Sequence, residues 1–151
     1  MMRIHVPALA LLLAAAPALA QMPPAWKANC QICHGADGKG QPGLYPRLQG
    51  RMDKVAASPE GRAWLISVML YGQTGRIMVD GKPISGVMMP YQHLKDPDIA
   101  ALLNHAVSLG ASSKPKPFTA DEVKAVRAQP RKTATDVRVE RERLLGLGLI
   151  P

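Results

Sequence analysis

The residues of this chain best suited to chemistry stand together in CQICH, residues 30–34, where two thiols three positions apart are followed at once by an imidazole. Cys30 and Cys33 are the only cysteines, and three other histidines, His5, His93 and His105, are scattered elsewhere. A structural zinc site needs four ligands and ordinarily a second paired cluster, which the sequence lacks. A thioredoxin-like dithiol needs a βαβ setting, and a structural disulfide would leave His34 idle.

Covalent haem attachment uses all three residues. On a helix Cys30 and Cys33 project from one side, so their thiols can add to two vinyl groups along one haem edge, and His34 lies beside that edge within reach of the iron. C-x-x-C-H is the sequence signature of such attachment. The sixth ligand must then come from farther along. A thioether there is soft and favours ferrous iron. Met88 and Met89, in GVMMPYQHLKD, are the candidates, and His93 is a third that would give a bis-histidine site of lower potential. Met52, Met69 and Met78 read as gap-filling core residues.

The elements that must position these groups can be read from punctuation. PPAWKANCQICHG holds a first helix entered through Pro23 and Pro24 and left at Gly35. Residues 35–50 carry five glycines and two prolines and read as loop. Ser58 and Pro59 open a helix over 59–71 that stops at Gly72, with Trp64, Val68 and Tyr71 on one face. Asp80-Gly81 predicts a β-hairpin over 76–79 and 82–85. GVMMPYQHLKD reads as loop, and Asp96 as the cap of a helix running to about Leu109, with Ile99, Leu102, Leu103 and Ala106 on its buried face. Beyond the polar ASSKPKP linker, Thr119 and Glu122 form a capping box for a short helix. A last amphipathic stretch after Thr135 carries Val137, Leu144 and Leu145.

Composition sets the outer limits. The first twenty residues combine Arg3, an apolar run and small residues at Ala18 and Ala20, the pattern of a cleaved secretory signal. About 130 residues remain, enough for one domain. Aromatic residues are only 4% of the chain, and a core short of large rings is either small or filled by a broad apolar body that is not an amino acid. Removing residues 1–20, which hold one basic and no acidic side chain, takes the formal charge from +8 to +7. That balance favours acidic partners. Export and the absence of a basic block with interleaved aromatics argue against nucleic acid.

CQICHGADGKG, YPRLQG and GVMMPYQHLKDPDIAALLNHA, in this order and spacing, resemble a class I, monohaem cytochrome c. From GRAWLISVMLYG to PFTADEVKAVRA the chain is similar to a longer bacterial type with a β-hairpin before the methionine loop and a wrapped C-terminal extension, an electron donor to a haem-copper oxidase. The resemblance implies a mainly α fold around one covalent haem c: signal peptide 1–20, haem domain 21–111, and helical extension 112–151 packed on that domain. It makes Cys30 and Cys33 the thioether anchors, His34 the proximal ligand and Pro46 the carbonyl acceptor that orients it. Met88 is selected as axial ligand by the longer type's spacing, Met89 by that of the shorter Met-Pro loops. His105 stands where most of the family has an aromatic.

With both axial positions filled the iron has no open site for substrate, so an electron carrier is expected and not an enzyme. A five-coordinate haem enzyme requires the methionine reading to fail. The expected partners are a terminal oxidase and an upstream quinol-oxidising complex or dehydrogenase with acidic docking surfaces, met in the periplasm through Lys27, Lys39 and Arg47. The alternative is a fixed haem c subunit of a periplasmic dehydrogenase complex. No membrane span is expected after cleavage.

Overall fold

The computed structural model describes residues 22–151, so the expected signal segment lies outside the described residues. Among the described residues, seven helices and one hairpin follow in the order α1 (Pro24–Asn29), α2 (Gln31–His34), α3 (Met52–Val55), α4 (Pro59–Tyr71), β1 (Gln73–Val79), β2 (Lys82–Met88), α5 (Asp96–Ser108), α6 (Ala120–Arg127) and α7 (Ala134–Gly146). The fold is mainly α with a small hairpin, as the sequence predicts. The first helix is interrupted at Cys30, whose φ of −117° departs from the usual helical value of about −63°. The short α3 was not legible, since its four residues are too few to show a period.

Helix α4 starts where expected. The Ser58 hydroxyl accepts from the Gly61 amide at 3.0 Å, Pro59 needs no amide partner in the first turn, and Gly72 ends the helix at φ 71°. It buries Trp64, Leu65, Ile66, Met69 and Leu70 against Ile99, Leu102 and Leu103 of α5. The cap of α5 departs from the sequence reading. Lys95 occupies the cap position without a side-chain bond, and Asp96 sits inside the first turn, where its carboxylate takes Arg127 of α6 at 2.8 Å. A tertiary ion pair has drawn the carboxylate away from local capping.

The same competition splits the capping box of α6. Thr119 accepts from the Glu122 amide at 3.2 Å, but the Glu122 carboxylate turns to Arg62 of α4 in a two-toothed pair, both bonds 2.7 Å. A complete box occurs instead at α7, between Thr133 and Asp136.

Each strand of the hairpin runs three residues farther than the sequence predicts, all at the open end, where Gln73 pairs with Met88; the turn end, where Val79 pairs with Lys82, is as predicted. Pairing continues through Gly75 and Gly86, residues that strand propensity discounts. Met88 is therefore the last residue of a strand and not a loop residue. Met78 is a second correction: on the outer face of β1 it is 48% exposed and fills no core gap.

Residues 112–151 form ordered structure packed on the rest. Helix α6 lies on α4 and α5, and α7 on α4 and β1. Val123, Val137 and Leu144 are fully buried and belong to the same continuous apolar core as α4 and α5. The Trp64 indole N–H donates to the Val137 carbonyl at 2.9 Å. Even the polar linker is held. Buried Asp53 on α3 accepts from the amides and hydroxyls of Ser112 and Ser113, at 2.9 to 3.2 Å.

Candidate haem-binding site

A cavity of about 450 Å³ opens inside this shell, within the range of about 300–1,000 Å³ typical of cofactor pockets. Its floor is Cys30, Cys33 and His34, its back the α4 and α5 residues Trp64, Leu65, Val68, Leu102 and Leu103, and its far wall the inner face of the hairpin ending at Met88. The scarcity of aromatic side chains finds its counterpart in this unfilled volume.

On the floor, Cys30 is buried and Cys33 partly exposed. Burial, with the neighbouring Cys33, pushes the Cys30 thiol up to about 11. His34 is 7% exposed, and its Nδ1 lies 3.1 Å from the Pro46 carbonyl oxygen. A carbonyl only accepts, so Nδ1 carries the proton and donates it, leaving the lone pair on Nε2. Burial lowers the His34 pKa, and the Pro46 bond opposes this in part. A neutral imidazole with one free lone pair is the form a metal requires. Gly40 sets the Pro46 carbonyl: at φ 64° its amide bonds the His34 carbonyl at 2.9 Å, and a Cβ there would stand 2.6 Å from the Pro46 oxygen.

On the far wall Met88 is half-buried, packs against the apolar core and shares a sheet face with Gln73, its cross-strand partner. Met89 borders the cavity too but is 63% exposed. Gly72 makes the position of Met88 possible, since a Cβ there would meet the Met88 carbonyl oxygen at 2.4 Å. Tyr91 closes the side by donating its hydroxyl to the Asn29 carbonyl at 2.7 Å. His93 is not among the residues lining the cavity. His105 packs edge-on against Trp26 with ring centroids 4.8 Å apart, as a packing residue in an aromatic's place.

Two polar groups in the wall test what the cavity holds. The Gln73 side-chain oxygen is buried without a hydrogen-bond partner among the described residues. Arg141 of α7 is 5% exposed and bonds only the Met78 carbonyl, at 2.8 Å, with no carboxylate paired to it among the described residues. A buried guanidinium without a counter-charge is costly. A flat apolar group with its own carboxylates satisfies the volume, the apolar back and the orphaned cation together, and haem is such a group. Arg141 does carry a sequence signal: Val137, Arg141 and Leu144 keep helical spacing, so an arginine sits on the buried stripe of α7. Gln73 and Tyr91 carry no such mark.

The docking residues named from sequence are largely compensated. Lys39 pairs with Asp37 at 2.6 Å and Arg47 with Asp80 at 2.8 Å, while Lys27 is exposed. Around the cavity mouth Leu44, Val87 and Met89 are exposed apolar residues, as is Ile32 between the two cysteines.

Comparison with known proteins agrees with this geometry. The sequence profile of the family described as Cytochrome c matches residues 24–110. The chain is 43% identical over 121 residues to a cytochrome c-552 of Thermus thermophilus, covering 78% of this chain and 92% of that protein. It is equally similar to a second cytochrome c-552 of the same species, of which it covers 81%. Two cysteines three residues apart, a neutral histidine and an apolar-backed cavity that all three line fit one covalently bound haem c, and the chain belongs to the cytochrome c family, among its monohaem class I members.

Proposed function

We propose that this protein is an exported, periplasmic single-electron carrier whose haem iron is held between His34 and Met88, and that it delivers electrons to a terminal oxidase. Membership of the cytochrome c family establishes the coarser part, a haem-based electron carrier. The observation that supports the axial pair is that His34 and Met88 both line one largely apolar cavity.

When bound, haem c supplies a one-electron iron couple. The chain's residues do the rest. Pro46 holds the His34 imidazole in one tautomer, Cys30 and Cys33 fix the anchored edge, and the α4 and α5 side chains keep water out, which keeps reorganisation on electron transfer small. Met88 is favoured over Met89 because its side chain shares the inner face of the sheet with Gln73, whereas Met89 is largely in solvent. Two protein ligands leave no position for a substrate, which favours a carrier over an enzyme.

The test is the far-red sulfur-to-iron charge-transfer band of the ferric holoprotein. We expect it in the native protein and in Met89→Leu, and its loss with a lower reduction potential in Met88→Leu. The reverse pattern moves the ligand to Met89. Absence from the native protein overturns thioether ligation and returns His93 or an open site.

For docking, the net positive charge steers acidic partners and the exposed apolar rim is the surface they cover. Because Lys39 and Arg47 are internally paired, Lys27→Glu is expected to slow transfer to the oxidase at low salt more than Lys39→Glu. Equal rates for both variants and the native protein across ionic strength would sink charge steering at this rim.

A further inference from the structure

We infer that Asp80 is a clasp that ties the hairpin tip across the cavity to the loop bearing Pro46, and so governs how readily an outside ligand reaches the sixth position of the iron. This rests on the His34/Met88 reading.

A lone two-stranded hairpin is marginal in water, and this one meets the main body through α7 on β1 and through Met88 at its open end. Its buried residues Val79 and Ile84 stand outside the continuous apolar cluster that joins α4, α5, α6 and α7. Its inner face borders the cavity instead. What holds its tip is polar. The Asp80 carboxylate accepts from Arg47 Nε and Nη2 at 2.8 and 2.9 Å and from Arg51 Nη1 at 2.9 Å. Arg51 also donates to the Pro151 carbonyl at 2.8 Å, and Arg141 to the Met78 carbonyl at the same distance.

These contacts join the two sides of the site. Arg47 follows Pro46, the residue that orients His34, and Asp80 leads through its turn into the strand that ends at Met88. An isolated exposed ion pair contributes little. Here one carboxylate takes two guanidiniums, one of them through two parallel bonds, which is the stronger and more directional arrangement. Arg51 is also only 12% exposed. The Arg47 guanidinium holds the Asp80 carboxyl below the usual carboxylate range, so it is ionised at neutral pH. Asp80 has φ 51° and Gly81 φ 72°, the left-handed pair that a tight hairpin turn demands. Tip and strand are therefore expected to move as one piece.

The test is imidazole binding to the ferric holoprotein by stopped-flow absorption, in the native protein and in Asp80→Asn. Asparagine tolerates the left-handed backbone, so the turn is kept and only the charge is lost. Binding is expected to be roughly fivefold to tenfold faster in the variant, the gain expected for loss of a charge-assisted network. Raising salt from about 0.01 M to about 1 M, which shortens the screening length from about 30 to about 3 Å, is expected to accelerate the native protein alone. Unchanged binding in Asp80→Asn, with the far-red band present in both proteins, overturns the clasp. If the native protein lacks that band, the ligation reading has failed separately. Amide hydrogen exchange across residues 73–88 then decides: faster exchange in Asp80→Asn supports the clasp, and equal exchange overturns it.

Discussion

The two sides of the haem cavity are built by different means. The floor is one contiguous stretch, Cys30 to Pro46, in which the His34–Pro46 contact spans twelve residues and the Gly40 amide closes back on the His34 carbonyl. The far wall is assembled at long range. Met88 ends a strand whose partner is Gln73, its carbonyl lies against Gly72 at the end of α4, and Arg141 arrives from the extension. Local closure loses little chain entropy, whereas each long-range contact depends on the whole core being in place. The floor should therefore survive damage that removes the far wall.

Paired substitutions of the two tight glycines test this difference. In Gly72→Ala the new Cβ would overlap the Met88 carbonyl, and the left-handed backbone adds about 1–2 kcal/mol. Loss of the far-red band is expected while the haem stays covalently attached. Gly40→Ala carries the same backbone cost and presses on the Pro46 carbonyl. There the expected effect is lower thermal stability, with the band retained. A band lost equally in both variants would show that the two walls fold as one unit.

A smaller effect is expected at His105, on the seam between α1 and α5. Burial lowers its pKa, and its Nε2 is buried without a partner among the described residues. The native state thus excludes a proton that the unfolded chain binds. Stability from this residue is fully present above the ordinary histidine range and declines as pH falls from there toward the lower folded-state value. His105→Phe should flatten that acid-side decline in denaturant titrations at about pH 7 and about pH 5, which bracket the ordinary histidine value. Parallel pH dependence in the two proteins would remove His105 as its source.

Most of the fold was legible because its signals are local: Ser58-Pro59 and Gly72 bounding α4, the Asp80-Gly81 turn, and the stripe of Ile99, Leu102, Leu103 and Ala106. The misreadings share one cause. Asp96 and Glu122 looked like helix caps and became partners of Arg127 and Arg62 instead, because a carboxylate's choice between a local amide and a distant guanidinium depends on what the fold brings near. The hairpin outran its prediction through two glycines whose pairing is decided by the opposite strand and not by their own propensity.

By itself the sequence determined the chemistry: C-x-x-C-H can do little other than anchor haem in this setting, and its spacing suffices to bring thiols and imidazole together, while the Pro46 carbonyl was implied only by the family resemblance. Only the tertiary structure separates half-buried Met88, the last residue of β2, from Met89 just beyond it, which is 63% exposed, since the extent of the strand needs the register with Gln73. Only it put Arg141 beside the cavity and Asp80 between two arginines. Contacts across 29 to 63 residues leave no periodic trace in a chain, because they are fixed by how helices and hairpin pack around a volume that the side chains themselves do not fill.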